Sequence, residues 1–76
     1  MNNMERTRKE RLDWCRERAI QEMDFYKDPS KGIISMMSDL RKHPETNKEA
    51  RLCGIMLMTK PKMSRQEVIN FLDGFN

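Results

Sequence analysis

Long apolar runs are missing from this sequence of 76 residues. The longest uninterrupted run covers residues 55–58, whereas a helix that crosses a bilayer needs about 20 consecutive apolar residues. No charged segment followed by an apolar one opens the chain, so the sequence offers no secretory signal either. These absences argue against contact with a membrane and predict a protein of the cytoplasm.

The residue types that build catalytic or metal sites are also scarce. The sequence has one histidine, His43, and two cysteines, Cys15 and Cys53. A structural zinc site requires four such ligands at close spacings, and both cysteines lie among apolar helical neighbours, where a thiol is unreactive. No glycine-rich phosphate loop or calcium loop occurs. We therefore predict no enzymatic activity, no metal and no cofactor.

Proline is rare too, and its three positions divide the chain into four segments with helical patterns. Apolar residues recur at spacings of three and four, as on one side of an α-helix. The first helix is predicted from about Thr7 to Lys27, with a buried stripe made of Leu12, Cys15, Ala19, Met23 and Tyr26. The chain is too short for a second domain. The prediction is an all-α, compact four-helix domain over residues 1–76, with one long N-terminal helix, three shorter ones and frayed residues 1–7.

Capping signals mark the starts of the three shorter helices. Asp28 before Pro29 suits the N-cap of a second helix, which should end by about Lys42. Two later pairs match capping boxes, in which each residue's side chain bonds the backbone amide of the other: Thr46 with Glu49, and Ser64 with Glu67. The third helix should therefore start near residue 46 and the fourth near residue 64.

The third predicted helix is apolar on every side over residues 52–58, and a helix of this kind is buried on every side. Two arrangements satisfy that condition: the helix is the centre of the domain, or part of it lies in a subunit interface. Gly54 would let a neighbouring backbone approach closely. Because a core of this size supplies a stability of only a few kcal/mol, a homodimer is one alternative and a monomer the other.

The sequence has no large excess of charge of one sign. It contains 15 Lys and Arg and 12 Asp and Glu, which give a net charge of +3. Acids and bases alternate along the first helix, which is typical of a solvated surface. Only Lys60, Lys62 and Arg65 form a basic stretch without nearby acids. This stretch is the candidate site for nucleic acid or a small anion, although three cations make few phosphate contacts. A helix-turn-helix is disfavoured because the third helix would expose too few polar residues.

Methionine, by contrast, is abundant, with eight residues, and it is common both in cores and at adaptable binding surfaces. Trp14 and Phe25 lie off the apolar stripe of the first helix. Large aromatic side chains of this kind often anchor protein interfaces. We predict a partner-binding surface that contains Trp14 and Phe25 together with the polar residues Arg18 and His43.

Four segments of the sequence resemble a group of small helical proteins encoded by bacteriophages. They are WCRERA at residues 14–19, SMMSDLRKHPET at 35–46, GIMLM at 54–58 and FLDGFN at 71–76. The links at residues 27–31 and 60–62 depart from the pattern. The resemblance implies a phage origin and a location in the cytoplasm of the infected bacterial host. It implies no activity and no catalytic residue.

We therefore predict a phage accessory protein that binds a host or phage protein and has no catalytic activity. Two alternatives differ in class. The first is a nucleic-acid-binding protein that uses the basic stretch. The second is a helical oligomer that sequesters a small anionic ligand.

Overall fold

A computed structural model describes residues 7–75. Its elements are α1 (Arg8–Tyr26), α2 (Pro29–Leu40), a 3-10 turn (Pro44–Thr46), α3 (Asn47–Thr59) and α4 (Arg65–Asp73). The predicted all-α class, the four helices and the long first helix are confirmed. Of the residues predicted to fray, 1–6 lie outside the described part of the chain. None of the described helices is long and apolar enough to cross a membrane.

Helix α1 begins with a capping box. The Thr7 hydroxyl accepts a hydrogen bond from the Glu10 amide at 3.1 Å, and the Glu10 carboxylate accepts one from the Thr7 amide at 2.9 Å. Thr7 lies in the segment predicted to fray, but it is the N-cap of α1. The helix ends at Tyr26, and the C-cap residue Lys27 has a φ of 54°, in the left-handed region. This conformation reverses the chain into α2.

Local signals also fix the starts of α2 and α4 as predicted. The Asp28 side chain accepts a hydrogen bond from the Ser30 amide at 3.1 Å, and Pro29 occupies the first helical position. At α4, the Ser64 hydroxyl accepts from the Glu67 amide at 3.1 Å, and the Glu67 carboxylate accepts from the Ser64 amide at 2.9 Å. Both N-caps are confirmed.

The capping box predicted for α3 is wrong, although the helix begins where expected. The Thr46 hydroxyl donates to the Leu40 carbonyl at 2.5 Å, and Glu49 pairs with Arg8 of α1. Thr46 is buried, and a carbonyl at the end of α2 has no partner within its own helix. The hydroxyl therefore satisfies the end of one helix rather than the start of the next.

Helix α2 lies at the centre of the fold and packs against the other three helices. Gly32 allows the closest approach, because a Cβ at this position would lie 3.3 Å from both the Ala19 carbonyl oxygen and Val68. The buried core consists of Leu12, Cys15, Ala19, Met23, Ile33, Met36, Leu40, Ala50, Cys53, Val68, Leu72 and Phe75. Tyr26 is exposed, so the predicted α1 stripe ends one turn earlier, at Met23.

Helix α3 is not buried on every side. Within it only Ala50 and Cys53 are buried, whereas Leu52, Ile55 and Met58 are 50%, 55% and 83% exposed. The prediction that α3 is the centre of the domain is therefore wrong. The reason is that α3 packs mainly against α2 and the 3-10 turn, and one neighbouring helix cannot cover apolar residues on all sides.

Candidate functional site

One side of α3 presents apolar side chains to solvent. Leu52, Ile55 and Met58 recur every three residues and so share a side of the helix, and Lys48 and Arg51 are exposed beside them. We call these five residues the outer face of α3. Contiguous exposed apolar surface rimmed by polar residues is typical of an interaction site.

A groove of about 380 Å³ lies beside the outer face, between α2 and α3. Met37 and Gly54 meet at its floor, where a Cβ added to Gly54 would lie 3.7 Å from the Met37 sulfur. Ile55 and Met58 line the groove as well as the outer face. Because Gly54 has no side chain, the space above Met37 stays open. We call this feature the α2–α3 groove.

The charged residues of the α2–α3 groove are both arginines, Arg41 directly after α2 and Arg51 in α3. Within residues 7–75 neither guanidinium has an ion pair or a side-chain hydrogen bond. The carboxylates closest to them in sequence pair with other cations: Asp39 with Arg18 and Lys42, and Glu49 with Arg8. The groove therefore combines an apolar floor with two positive charges that the fold does not use.

The predicted partner-binding residues of α1 lie along one side of the helix, because their spacings of four and seven residues bring them to the same side. The Arg18 guanidinium lies 5.2 Å from the centre of the Trp14 ring. Phe25 is exposed, but it lies about 16 Å further along the helix, at a rise of about 1.5 Å per residue. There it packs edge-to-face against Tyr26, with ring centroids 5.0 Å apart. The two aromatic residues therefore lie on the same side of α1, about three turns apart.

Arg18 also has a role in holding the fold together. Its Nε donates to Asp39 at 2.8 Å, and the Asp39 side chain is only 1% exposed. This hydrogen bond raises the pKa of Arg18 above its ordinary value. Lys42 lies 3.4 Å from the other carboxylate oxygen. Removing Arg18 would leave a buried carboxylate with one weak partner, so its substitution tests stability as much as binding.

His43 lies in the link between α2 and the 3-10 turn, and its side chain is exposed. Its backbone is extended, as the following Pro44 requires. Its amide donates to the Leu40 carbonyl at 3.4 Å, and its carbonyl accepts from the Thr46 amide at 3.1 Å. His43 therefore shapes the end of α2 through its backbone.

The basic stretch carries less free charge than its sequence indicates. Lys60 lies 3.1 Å from Glu67, and Arg65 binds both carboxylate oxygens of Asp24 at 2.8 and 3.0 Å. These bonds hold the pKa of Asp24 below its ordinary value. Lys62 alone of the three has no partner within residues 7–75. The expectation that no acid lies near this stretch is wrong, because the fold brings Asp24 to it from α1.

A second cleft, of about 260 Å³, lies between α1 and α2. The Ser35 hydroxyl that lines it is buried and has no hydrogen-bond partner in the described part of the chain. Glu22 adds a negative charge to the lining. Of the two cations, Arg18 is paired as described, and Lys31 lies over the Tyr26 ring at 5.3 Å. This cleft therefore offers no excess of positive charge to an anionic ligand.

Neither cysteine of the described residues is activated as a nucleophile. Burial raises the pKa of Cys15, and it raises the pKa of Cys53 to about 12. Because the thiolate is the reactive form, both cysteines stay protonated and unreactive at neutral pH. Residues 7–75 contain no group of three or more His, Cys, Asp or Glu side chains placed to hold a metal ion.

The α2–α3 groove is the feature that sequence reasoning missed. The sequence carries one signal for it, because Gly54 interrupts the apolar run at residues 52–58. Arg41 gives no comparable signal, since its position opposite α3 follows from the packing of two helices.

No protein-family model, no curated protein and no solved structure matches this chain. The functional interpretation therefore rests on the side chains described above.

Proposed function

We propose that this is a small, non-catalytic binding protein of bacteriophage origin that acts in the cytoplasm of the infected host by binding a host or phage protein. The outer face of α3 is the binding surface. The observation that carries the proposal is the exposure of Leu52, Ile55 and Met58 on one side of a single helix.

The energetics of apolar burial support this surface. Because Leu52, Ile55 and Met58 keep half or more of their surface exposed, covering each of them stabilises a complex by about 1–2 kcal/mol, and a few such residues dominate most interfaces. Lys48 and Arg51 border the apolar residues and supply the polar rim that interfaces generally have. The α2–α3 groove continues the same surface, so a partner can contact both.

Two further observations support the proposed phage origin and the proposed absence of catalysis. The segments that resemble phage proteins, residues 35–46 and 54–58, supply most of the α2–α3 groove. The protonated thiols of Cys15 and Cys53 support a role without covalent chemistry.

Site-specific photo-crosslinking in bacterial cells tests the proposed surface. A photoreactive phenylalanine analogue is placed singly at three exposed positions: Met58 on the outer face of α3, Phe25 on α1, and Lys62 in the basic stretch. The crosslinked products are identified by mass spectrometry, and the captured protein is purified and recombined with the chain. We expect position 58 to crosslink strongly to one protein that then forms a stoichiometric complex, because this side chain lies on the proposed surface.

Other crosslinking patterns would contradict the proposal. Protein crosslinks confined to position 25 would move the interface to α1. Crosslinks to nucleic acid at position 62, without protein at position 58, would favour the nucleic-acid alternative. Crosslinks only between copies of the chain would favour the oligomeric alternative.

A further inference from the structure

The α2–α3 groove has two chemically different ends. Met58 and Ile55 line it at the C-terminal half of α3, and Arg51 and Arg41 line it near the N-terminal half. From Arg51 to Met58 the helix rises about 10 Å, or two turns. A ligand that fills the groove therefore meets apolar side chains at one end and unpaired guanidinium groups at the other.

We infer that the α2–α3 groove binds an amphipathic α-helix of the partner protein whose apolar side chains are followed, about two turns away, by Asp or Glu. This inference rests on the proposed function and names the chemistry of the partner. A helix presents anchors at i, i+3, i+4 and i+7, the arrangement that apolar grooves between helices recognise. Its carboxylates would meet Arg41 and Arg51, and a guanidinium can bind a carboxylate through two parallel hydrogen bonds.

The two arginines of the groove favour an acidic helix over an apolar or basic one. Covering the groove with an apolar or basic segment would remove two unpaired guanidinium groups from water without giving them a partner, which is costly. No acidic side chain of the described residues lines the groove to compensate. An acidic partner supplies the missing charges, and attraction between opposite charges also speeds its association.

A second copy of the chain fits less well. Pairing two outer faces of α3 would bring Lys48 and Arg51 of each copy into one interface, and like charges oppose association. The acids next to this face in sequence, Glu45 and Glu49, already pair with α1. An anionic membrane fits less well too, because a flat surface cannot reach the Gly54 floor.

A displayed peptide library tests the inference. Its members keep apolar residues at helical spacing and vary freely elsewhere, and the full-length protein serves as bait. We expect the enriched peptides to carry Asp or Glu about two turns from their apolar anchors. The best peptide is then synthesised with a fluorophore, and its dissociation constant is measured by anisotropy.

Two variants of the full-length protein and one matched control test whether the peptide binds in the groove. The double variant R41E/R51E should bind the acidic peptide about 30-fold more weakly, since each attraction becomes a repulsion. The matched control K9E/K27E makes the same change in net charge at the two ends of α1, away from the groove, and should change the affinity little. Gly54→Leu should abolish binding, because the leucine side chain fills the groove while its Cβ makes only an ordinary contact with Met37.

Several results would overturn the inference. These are enrichment of neutral or basic peptides, no enrichment, or equal effects of R41E/R51E and K9E/K27E. Self-association or binding to phosphatidylglycerol vesicles that Gly54→Leu abolishes would overturn it by assigning the groove to another occupant. In each case a stoichiometric protein crosslinked at position 58 would leave the proposed function standing, so the two failures are distinguishable.

Discussion

Replacing Met36 by alanine is expected to lower the free energy of unfolding by about 3 kcal/mol. Met36 is fully buried on the central helix α2, so its truncation removes apolar contacts and leaves a cavity. A chain of this length has a total stability of roughly 4–11 kcal/mol, and the loss is therefore a large fraction of it. Urea denaturation followed by far-UV circular dichroism measures the change, which should shift the midpoint by about 2 M or more.

The chain supplies a matched control for this prediction. Met58→Ala makes the same chemical change at a side chain that is 83% exposed, and it should alter the stability by no more than about 0.5 kcal/mol. An equal loss in both variants would mean that the outer face of α3 belongs to the core.

Replacing Ile55 and Met58 together by glutamine should weaken partner binding by about 100-fold. Loss of two buried apolar anchors at roughly 1.5 kcal/mol each gives about 3 kcal/mol, which corresponds to that factor. The free energy of unfolding should stay within about 1 kcal/mol of wild type, because both side chains are exposed and glutamine is a good helix former. Titration calorimetry with the purified partner and a urea melt measure the two quantities.

The control for this pair is Phe25→Gln with Tyr26→Gln, which removes two exposed aromatic side chains from α1. This variant should bind the partner as wild type does. If it loses binding while the α3 variant keeps it, the interface lies on α1, as the candidate residues Trp14 and Phe25 first indicated.

Sequence patterns predict the parts of this fold that depend on interactions between residues close in sequence. Asp28 with Pro29, and Ser64 with Glu67, act within one helical turn, so their capping roles could be read directly. The apolar spacing of α1 also identified Leu12 as a core residue. Such features require no knowledge of how the helices pack.

The features that sequence reasoning missed depend on packing between helices. Thr46 and Glu49 have the spacing of a capping box. The link between α2 and α3 nevertheless places Thr46 next to the end of α2, where its hydroxyl donates to the Leu40 carbonyl. The apolar run of α3 indicates burial, yet whether Ile55 is covered depends on how many helices surround it. Arg65 meets Asp24 across 41 positions of sequence, a distance over which local patterns carry no information.

An NMR titration of isotope-labelled protein with the partner identified by crosslinking locates the binding surface residue by residue. If the partner binds the outer face of α3 and the α2–α3 groove, the backbone chemical shifts should change most around Met37, Arg41 and α3, with little change in α4. Changes concentrated on α1 between Trp14 and Phe25, with α3 unaffected, would contradict binding at this surface.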